Sequence, residues 1–365
     1  MAFETPLAAV HAAAGAQFTD FAGWQMPVRF TSDLAEHAAV RERAGLFDIS
    51  HMGSIRVSGA QAAEFLDYAL AGALSKIAIG QAKYSLLLNE AGGILDDLIV
   101  YRLAPSNFLI IANAGNREIV ASTLTERAAS FDAVVSDESE DTALIAIQGP
   151  RALEIIEGIG LEVEPLDELR YYRCAEAIFE GEDVLIARTG YTGEDGFEFV
   201  LPAHAVESLW NALLIAGTDR GLQVCGLAAR DTLRLEAGMP LYGHELTVDT
   251  KPVQVGLGRT VGFKKDGDFV GRAALESFDD DSAPVLVGLV GDGKRAARAG
   301  YSVLDGDTVI GTVTSGALSP TLGVPIAMAL VQPGHGNELS IDVRGTAIPF
   351  RTTALPFYSR KASNA

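Results

Sequence analysis

Apolar and polar residues follow both helical and strand periods over the first three quarters of the chain. Ala63, Leu66 and Leu70 stand three and four positions apart, which predicts a helix over residues 60–70. Apolar runs at 84–88 and 94–101 flank a glycine-rich turn and predict two strands. Because helices and strands alternate without regular βαβ spacing, the pattern indicates an α+β fold. The same reasoning predicts helices over 33–43, 117–129, 152–157 and 205–217, and strands over 54–57, 108–112, 143–147, 175–179, 184–188 and 197–201.

The pattern changes after residues 277–284, an acidic stretch with the composition of a linker. Short apolar runs follow, separated by Gly, Pro and Asp turns, and no helical period intervenes. This is typical of a small all-β barrel or sandwich. We therefore predict a mixed region over 1–278 and a β domain over 285–362. The predicted strands of the β domain are 285–290, 301–304, 308–313, 326–331 and 339–343.

Charge and cysteine content restrict the partners and the compartment. The 365 residues include 28 basic and 48 acidic side chains, a net charge of −20, which repels phosphate backbones and argues against nucleic-acid binding. The two cysteines form no C-x-x-C motif, so we expect no disulfide scaffold and a reducing, cytoplasmic setting. The sequence has no long uncharged apolar run, so we expect no membrane helix. The first residues lack the pattern of a secretory signal.

Several common catalytic motifs are missing from the sequence. There is no G-x-S-x-G nucleophile elbow and no H-E-x-x-H zinc motif. Residues 288–294 match G-x-x-x-x-G-K, but Arg295 stands where a P-loop needs Ser or Thr. Gly256 and Gly258 lack the third glycine of a dinucleotide fingerprint.

Two acids, Asp96 and Asp97, interrupt an apolar strand. Successive strand residues face opposite sides, so one carboxylate can be solvated while the other points inward. An inward carboxylate must be hydrogen-bonded or have a raised pKa, which suits acid–base chemistry. The alternative is an edge strand on which both acids are solvated.

A second acid stands between two aromatic residues. The glycine-punctuated loop 188–196 enters a strand in which Glu198 lies between Phe197 and Phe199. The aromatics share one face, so Glu198 takes the other. A carboxylate held there suits a flat ligand edge with two parallel N–H donors, such as a pterin or guanine. The alternative is a surface glutamate on a half-exposed strand.

Residues 225–240 predict one short helix that stops at Gly238 and Pro240. Arg230 and Arg234 are four positions apart on one face of it. Such a pair can bind carboxylates of a ligand, or it can pair with Asp231 and Glu236 of the same helix. The spacing leaves both interpretations open.

These three segments, in this order, resemble the T-protein family of the glycine cleavage system, the aminomethyltransferases. The resemblance runs from end to end and includes 20–24, 47–53, 314–316 and 319–323. It implies a three-part cloverleaf, with two intertwined α+β folate-binding domains within 1–278 and a C-terminal β-barrel. It also implies transfer of a one-carbon unit from the aminomethyl-loaded lipoyl arm of H protein to tetrahydrofolate. The products are 5,10-methylenetetrahydrofolate, ammonia and dihydrolipoyl H protein.

The resemblance also assigns residues by position. It implies that Asp97 is the essential aspartate, which bonds N10 of the folate and assists proton movement. Glu198 falls on the pterin-holding glutamate, and Arg230 on a folate contact. Further folate-pocket positions are Tyr84, Asn113, Tyr191 and Tyr358. Tetrahydrofolate is a co-substrate here, no metal is implied, and the lipoylated H protein is acidic, so its docking needs a local basic patch.

Relatives of the same fold supply alternative functions. A folate-dependent demethylase of a sulfoniopropionate is the nearest enzyme. The one-carbon-transfer portions of dimethylglycine- and sarcosine-oxidising enzymes normally carry a flavin domain, for which this chain is too short. A non-catalytic folate-binding protein of iron–sulfur cluster maintenance would carry K-G-C-Y-x-G-Q-E, whereas residues 238–245 here contain no cysteine.

Overall fold

The computed structural model describes residues 2–360. Residue contacts divide this part of the chain into two compact units. The first unit comprises 2–69, 73–85 and 98–230, and the second comprises 70–72, 86–97 and 231–360. The domain boundary predicted between 278 and 285 stays a prediction, because the contacts group the barrel strands with residues that precede it.

The predicted helices and strands are present, with ends shifted by a few residues. The α-helices are α1 Ala8–Ala13, α2 Asp33–Glu42, α3 Ala62–Ala69, α4 Arg117–Ala128, α5 Ala152–Ile156, α6 Val206–Gly217, α7 Leu227–Glu236 and α8 Arg272–Glu276. The strands are β1 Gln17–Phe21, β2 Trp24–Arg29, β3 Ala44–Asp48, β4 Gly53–Ser58, β5 Gln81–Leu88, β6 Ile94–Ala104, β7 Asn107–Ala112, β8 Val134–Asp137, β9 Thr142–Gln148, β10 Cys174–Phe179, β11 Glu182–Ala187, β12 Gly196–Pro202, β13 Leu222–Val224, β14 Val285–Gly291, β15 Ser302–Asp305, β16 Thr308–Leu318, β17 Pro325–Val331, β18 Glu338–Asp342 and β19 Ala347–Thr353.

A six-stranded sheet forms the core of the first unit, in the order β10-β11-β12-β9-β3-β13. All of its pairings are antiparallel except that of β13 with β3. Phe197, Phe199 and Trp210 are buried in the cluster that packs this sheet against α6. The sequence predicts no strand at β3, because every residue from Ala44 to Asp48 is buried and no alternation marks it.

A second sheet has the order β5-β6-β7-β4-β8, and β1 pairs with β2 in a separate hairpin. Burial alternates along the first part of β6, as expected for a strand with one face toward a core. The turn before β6 is held by the Asn89 side chain, which accepts from the backbone N–H of Gly93 at 2.8 Å. A Cβ at Gly93 would stand 1.7 Å from the carbonyl oxygen of Val248, so the turn requires glycine there.

The C-terminal strands close into a barrel in the order β14-β17-β16-β15-β18-β19. Its interior contains Leu289, Val313, Ile341 and Phe350, all buried. The predicted β domain is therefore a barrel, and the sandwich alternative is wrong. The sequence predicts no strand at β19 because Pro349 and the polar residues after it interrupt the apolar pattern.

Helix α7 begins two residues after the predicted start at 225 and stops at Gly238 as predicted. The φ of Gly238 is 64°, the left-handed conformation that closes many helices. Both cysteines, Cys174 and Cys225, are free and buried, and burial raises the pKa of each thiol. Among the helices within residues 2–360, none is long and apolar enough to cross a membrane.

Candidate active site

Strand β12 places Glu198 on the face of the first unit's sheet opposite to Phe197 and Phe199. Phe197 and Phe199 are fully buried on the other face, as the sequence predicts, and Glu198 is half-buried. Its register neighbours are Ala187 on β11 and Ala146 on β9. Both neighbours end at a methyl group, so neither offers a polar partner to the carboxylate on that face.

Two hydroxyl groups form a hydrogen-bonded chain with the Glu198 carboxylate. The Thr189 hydroxyl donates to Oε2 of Glu198 at 2.5 Å, and the Tyr101 hydroxyl lies 3.2 Å from the Thr189 oxygen. Burial raises the pKa of Glu198, whereas the Thr189 hydrogen bond and the positive charge of Arg230 lower it. Burial, reinforced by the Glu198 charge, raises the pKa of Tyr101 well above its ordinary value, so this phenol stays protonated.

Arg230 on α7 supplies the opposite charge. Its guanidinium carbon lies 4.9 Å from the centre of the Tyr191 ring, within the range of a cation–π contact. Burial lowers the pKa of Arg230, and the charge of Glu198 opposes that shift. The structure thus brings together three of the residues assigned from the sequence, Glu198, Arg230 and Tyr191, within the first unit.

The loop between β11 and β12 is built around Gln148, a buried side chain that the sequence analysis missed. Its Nε2 donates to the Thr189 carbonyl at 3.0 Å, and its Oε1 accepts from the Thr192 hydroxyl at 2.9 Å. A Cβ at Gly190 or Gly196 would stand 2.0 or 2.5 Å from this side chain. The two glycines therefore let the loop close on Gln148, which fixes Thr189 and the start of β12.

Two further titratable groups of the first unit, Asp48 and His51, are buried near Arg230. Burial lowers the pKa of His51 to about 4, and the positive charge of Arg230 adds to that shift. Its Nδ1 has no hydrogen-bond partner among the described residues. Asp48 accepts from His11 at 2.8 Å and Thr5 at 2.6 Å. Burial opposes its ionisation, but these contacts outweigh it and lower the pKa of Asp48. In the sequence, Asp48 and His51 were marked only by the family motif at residues 47–53.

The Asp96–Asp97 pair belongs to the second unit. Asp96 is 0% exposed and Asp97 is half-buried, so they lie on opposite faces of β6. The interpretation in which both acids are solvated is therefore wrong. Burial raises the pKa of Tyr242, and the charges of both aspartates add to that effect. Tyr242 was missed because no pattern in the sequence links it to β6.

Arg234 has a structural environment. It is buried, its guanidinium contacts Asp231 at 2.8 Å and Glu245 at 3.1 Å, and it donates to the Ser315 hydroxyl at 2.9 Å. Glu236 instead accepts from the Thr321 hydroxyl at 2.7 Å and from Ser319. The alternative in which Arg234 pairs within its helix is confirmed for Asp231.

The remaining assigned residues are half-buried on separate elements. Tyr84 lies on β5, Asn113 follows β7, and Tyr358 follows β19. The backbone N–H of Tyr358 donates to the Glu236 carbonyl at 2.8 Å. Within residues 2–360, no group of three or more His, Cys, Asp or Glu side chains could hold a metal ion.

Comparison with known proteins identifies the family. Residues 7–265 match the GCVT N-terminal domain, and residues 285–359 match the glycine cleavage T-protein C-terminal barrel domain. This chain belongs to the glycine cleavage T-protein family. The aminomethyltransferases of Cutibacterium acnes and Streptomyces coelicolor are 56% and 55% identical to it, each over 98% of both chains.

A solved T protein has the same fold. The crystal structure of glycine cleavage system aminomethyltransferase T from Bartonella henselae matches with a TM-score of 0.90 at 40% identity, covering 98% of each chain. The function is therefore that of an aminomethyltransferase of the glycine cleavage system. These similarities do not favour the demethylase or the non-catalytic folate binder.

Proposed function

We propose that this T protein transfers the one-carbon unit from the aminomethyl-loaded lipoyl arm of H protein to tetrahydrofolate, and that Glu198 holds the pterin. The single observation that carries the proposal is the Glu198 carboxylate beside Arg230, whose guanidinium lies over the Tyr191 ring. A pterin edge presents N3–H and the 2-amino group as two parallel donors, which match the fork of a carboxylate. The register neighbours of Glu198, Ala146 and Ala187, add no polar group that would compete for its carboxylate.

Asp97 is the group that we propose for proton movement at N10 of the folate. Cleavage of the C–S bond, with sulfur leaving as the dihydrolipoyl thiolate, can proceed through an iminium-like carbon, whose nitrogen leaves as ammonia once the carbon is bonded to folate. This route needs positioning, a carboxylate and exclusion of water. Asp97 is half-buried on β6, next in sequence to the fully buried Asp96. Of the two carboxylates, it is the one that keeps some access to solvent and to a ligand.

The resemblance implies an acidic H protein, whose docking would use a basic patch, and three basic residues are exposed on one loop of the barrel. Lys294, Arg295 and Arg298 are exposed on the loop after β14, in a chain whose net charge is −20. The loop is anchored to the barrel, because Lys294 donates to the Gly323 carbonyl at 2.7 Å. Leu322 is 41% exposed on the same turn and adds apolar surface. We propose that this loop contacts the acidic H protein.

The pterin role is tested with Glu198→Gln. Loss of one charge-assisted acceptor should weaken tetrahydrofolate binding by roughly 1.5–3 kcal/mol in calorimetry. Glu176→Gln, an exposed glutamate on β10 of the same sheet, is the matched control and should bind normally. Unchanged affinity in Glu198→Gln would exclude the pterin-anchor role.

The reaction and the docking surface are tested in a coupled assay with aminomethyl-loaded H protein and tetrahydrofolate, run beside a methyl-donor assay. Turnover with the methyl donor alone would favour the demethylase. Arg295→Glu should raise KM for H protein, with a weaker salt dependence, and leave KM for folate unchanged. Lys76→Glu, an exposed lysine of the first unit, is the charge-matched control.

A further inference from the structure

Tyr101, Thr189 and Glu198 form a hydrogen-bonded chain whose direction is set by the charge state of Glu198. The Thr189 hydroxyl has one proton, and an ionised Glu198 can only accept, so this proton is donated to Oε2. The Thr189 oxygen is then an acceptor, and the Tyr101 hydroxyl, 3.2 Å away, must be the donor to it. Tyr101 and Thr189 are both almost fully buried, at 2% and 1% exposure. Every proton in the chain therefore points toward Glu198.

We propose that Thr189, oriented by Tyr101, is a positioning residue that keeps Glu198 ionised and in one rotamer, so that the site accepts only a ligand edge with two N–H donors. The inference rests on the proposed pterin role of Glu198 and adds residues that act through it. A protonated Glu198 would carry a donor of its own and would lose one of the two acceptors that the ligand edge requires.

The surroundings of Glu198 show why its ionised form needs this support. Burial favours the protonated carboxyl, and two groups oppose it, Arg230 from α7 and the Thr189 hydroxyl from the loop. The other titratable groups that the structure places around the chain are Tyr191, below Arg230, and Cys174 and Tyr172, near Tyr101. Among these groups, only Arg230 contributes a positive charge to Glu198.

The position of Thr189 is itself determined by the fold. Gln148 holds its carbonyl at 3.0 Å, and the crowding of Gly190 against Gln148 fixes the next peptide. Thr192, on the same loop, bonds to Gln148 and not to Glu198. The chain thus offers two threonines that share one loop, of which only one touches the carboxylate.

Thr189→Val removes the hydroxyl and preserves the shape of the side chain. Tetrahydrofolate affinity, measured by anaerobic calorimetry from about pH 5 to pH 8, should fall roughly 10-fold near neutral pH. Loss of a donor to the ionised form raises the pKa of Glu198, so the pH below which binding is lost should move upward. Thr189→Ser restores the donor and should keep the original pH profile. Tyr101→Phe leaves the Thr189 donor in place and should give a smaller shift in the same direction.

Thr192→Val is the control for a loosened loop. It should lower affinity equally at every pH and leave the position of the pH profile unchanged. If Thr189→Val behaves like Thr192→Val, or if Thr189→Ser is as impaired as Thr189→Val, the positioning role is wrong. In turnover assays, Thr189→Val should raise KM for tetrahydrofolate and leave kcat at saturating folate nearly unchanged; a fall in kcat alone would also contradict it.

Glu198→Gln separates this inference from the proposed function. If that variant binds tetrahydrofolate normally, Glu198 is not the anchor, and both proposals fail. If it binds weakly while Thr189→Val binds with the original pH profile, only the positioning role fails. In the Glu198→Gln background, Thr189→Val should no longer shift the pH profile, because the carboxyl whose pKa it changes is gone.

Discussion

His51 should make the folded protein sensitive to mild acid. Its pKa is lowered from 6.5 to about 4, by burial first and by the positive charge of Arg230 second. Between these two values the unfolded chain binds a proton that the folded chain does not, so stability falls as the pH is lowered through this window. A gap of about 2.5 pH units, at about 1.4 kcal/mol per unit, corresponds to roughly 3 kcal/mol at the acid end.

Asp48 titrates in a different window, which makes the His51 effect separable. The pKa of Asp48 is lowered below 3.8, so its contribution to stability is lost only as the pH falls below that value. The pH interval from about 4 to 6.5 therefore belongs to His51 among these two groups. This separation holds even though the charge of Asp48 opposes the shift of His51.

Urea unfolding at a series of pH values measures the effect. His51→Gln keeps a polar side chain of similar reach and removes the titration, so its free energy of unfolding should decline less than that of the parent between about pH 6.5 and pH 4. His204→Gln, at a histidine whose side chain is 70% exposed, controls for loss of a histidine as such. Parallel curves for the parent and His51→Gln across this interval would refute the reasoning.

The other predictions concern the aspartate pair and two buried cations of the second unit. Asp97→Asn should lower coupled turnover by roughly 10²–10⁴ with little change in folate affinity. Asp96→Asn should keep most turnover but lose about 1.5–3 kcal/mol of stability as a buried charged acceptor disappears; equal losses of turnover in the two variants would contradict the assignment. Lys265→Met leaves three backbone carbonyls without their ammonium donor and should cost about 2–3 kcal/mol in urea unfolding, with folate affinity unaffected. Arg234→Met should lower the free energy of unfolding by about 3–5 kcal/mol, because Glu245 stays buried without its ion-pair partner. Adding Glu245→Gln should recover part of that loss. No recovery in the double variant would argue against the ion pair.

The sequence predicts the elements that have one buried face and misses those that do not. Strand β12 was found because Phe197 and Phe199 alternate with polar neighbours, and the barrel because apolar runs recur between turns. Strand β3 is buried throughout, and β1 is exposed throughout, so neither carries an alternating pattern. Strand β19 is interrupted by Pro349, which a single-strand pattern cannot distinguish from a turn.

The residues of the candidate site also fall into those that the sequence predicted and those that it missed. Glu198 was predicted because its aromatic neighbours in sequence fix the face on which it lies. Thr189 and Tyr101 were missed, because 88 positions separate them and only the fold brings their hydroxyls together. Gln148 likewise acts on a loop that begins 41 positions later. Local sequence shows a charged residue within an apolar strand, but it does not show the uncharged side chains that hydrogen-bond to it in the folded protein.

The uncharged partners of Glu198 help to explain how Glu198 and Arg230 keep opposite charges side by side. Burial raises the pKa of Glu198 and lowers that of Arg230, so burial disfavours the charged form of both groups. Each charge opposes the shift of the other, and the Thr189 hydroxyl adds a donor that serves only the ionised glutamate. The ionisation of the site is therefore a property of the group and not of Glu198 alone. It follows that neutralising Arg230 weakens pterin recognition through Glu198 as well as through its own lost contact.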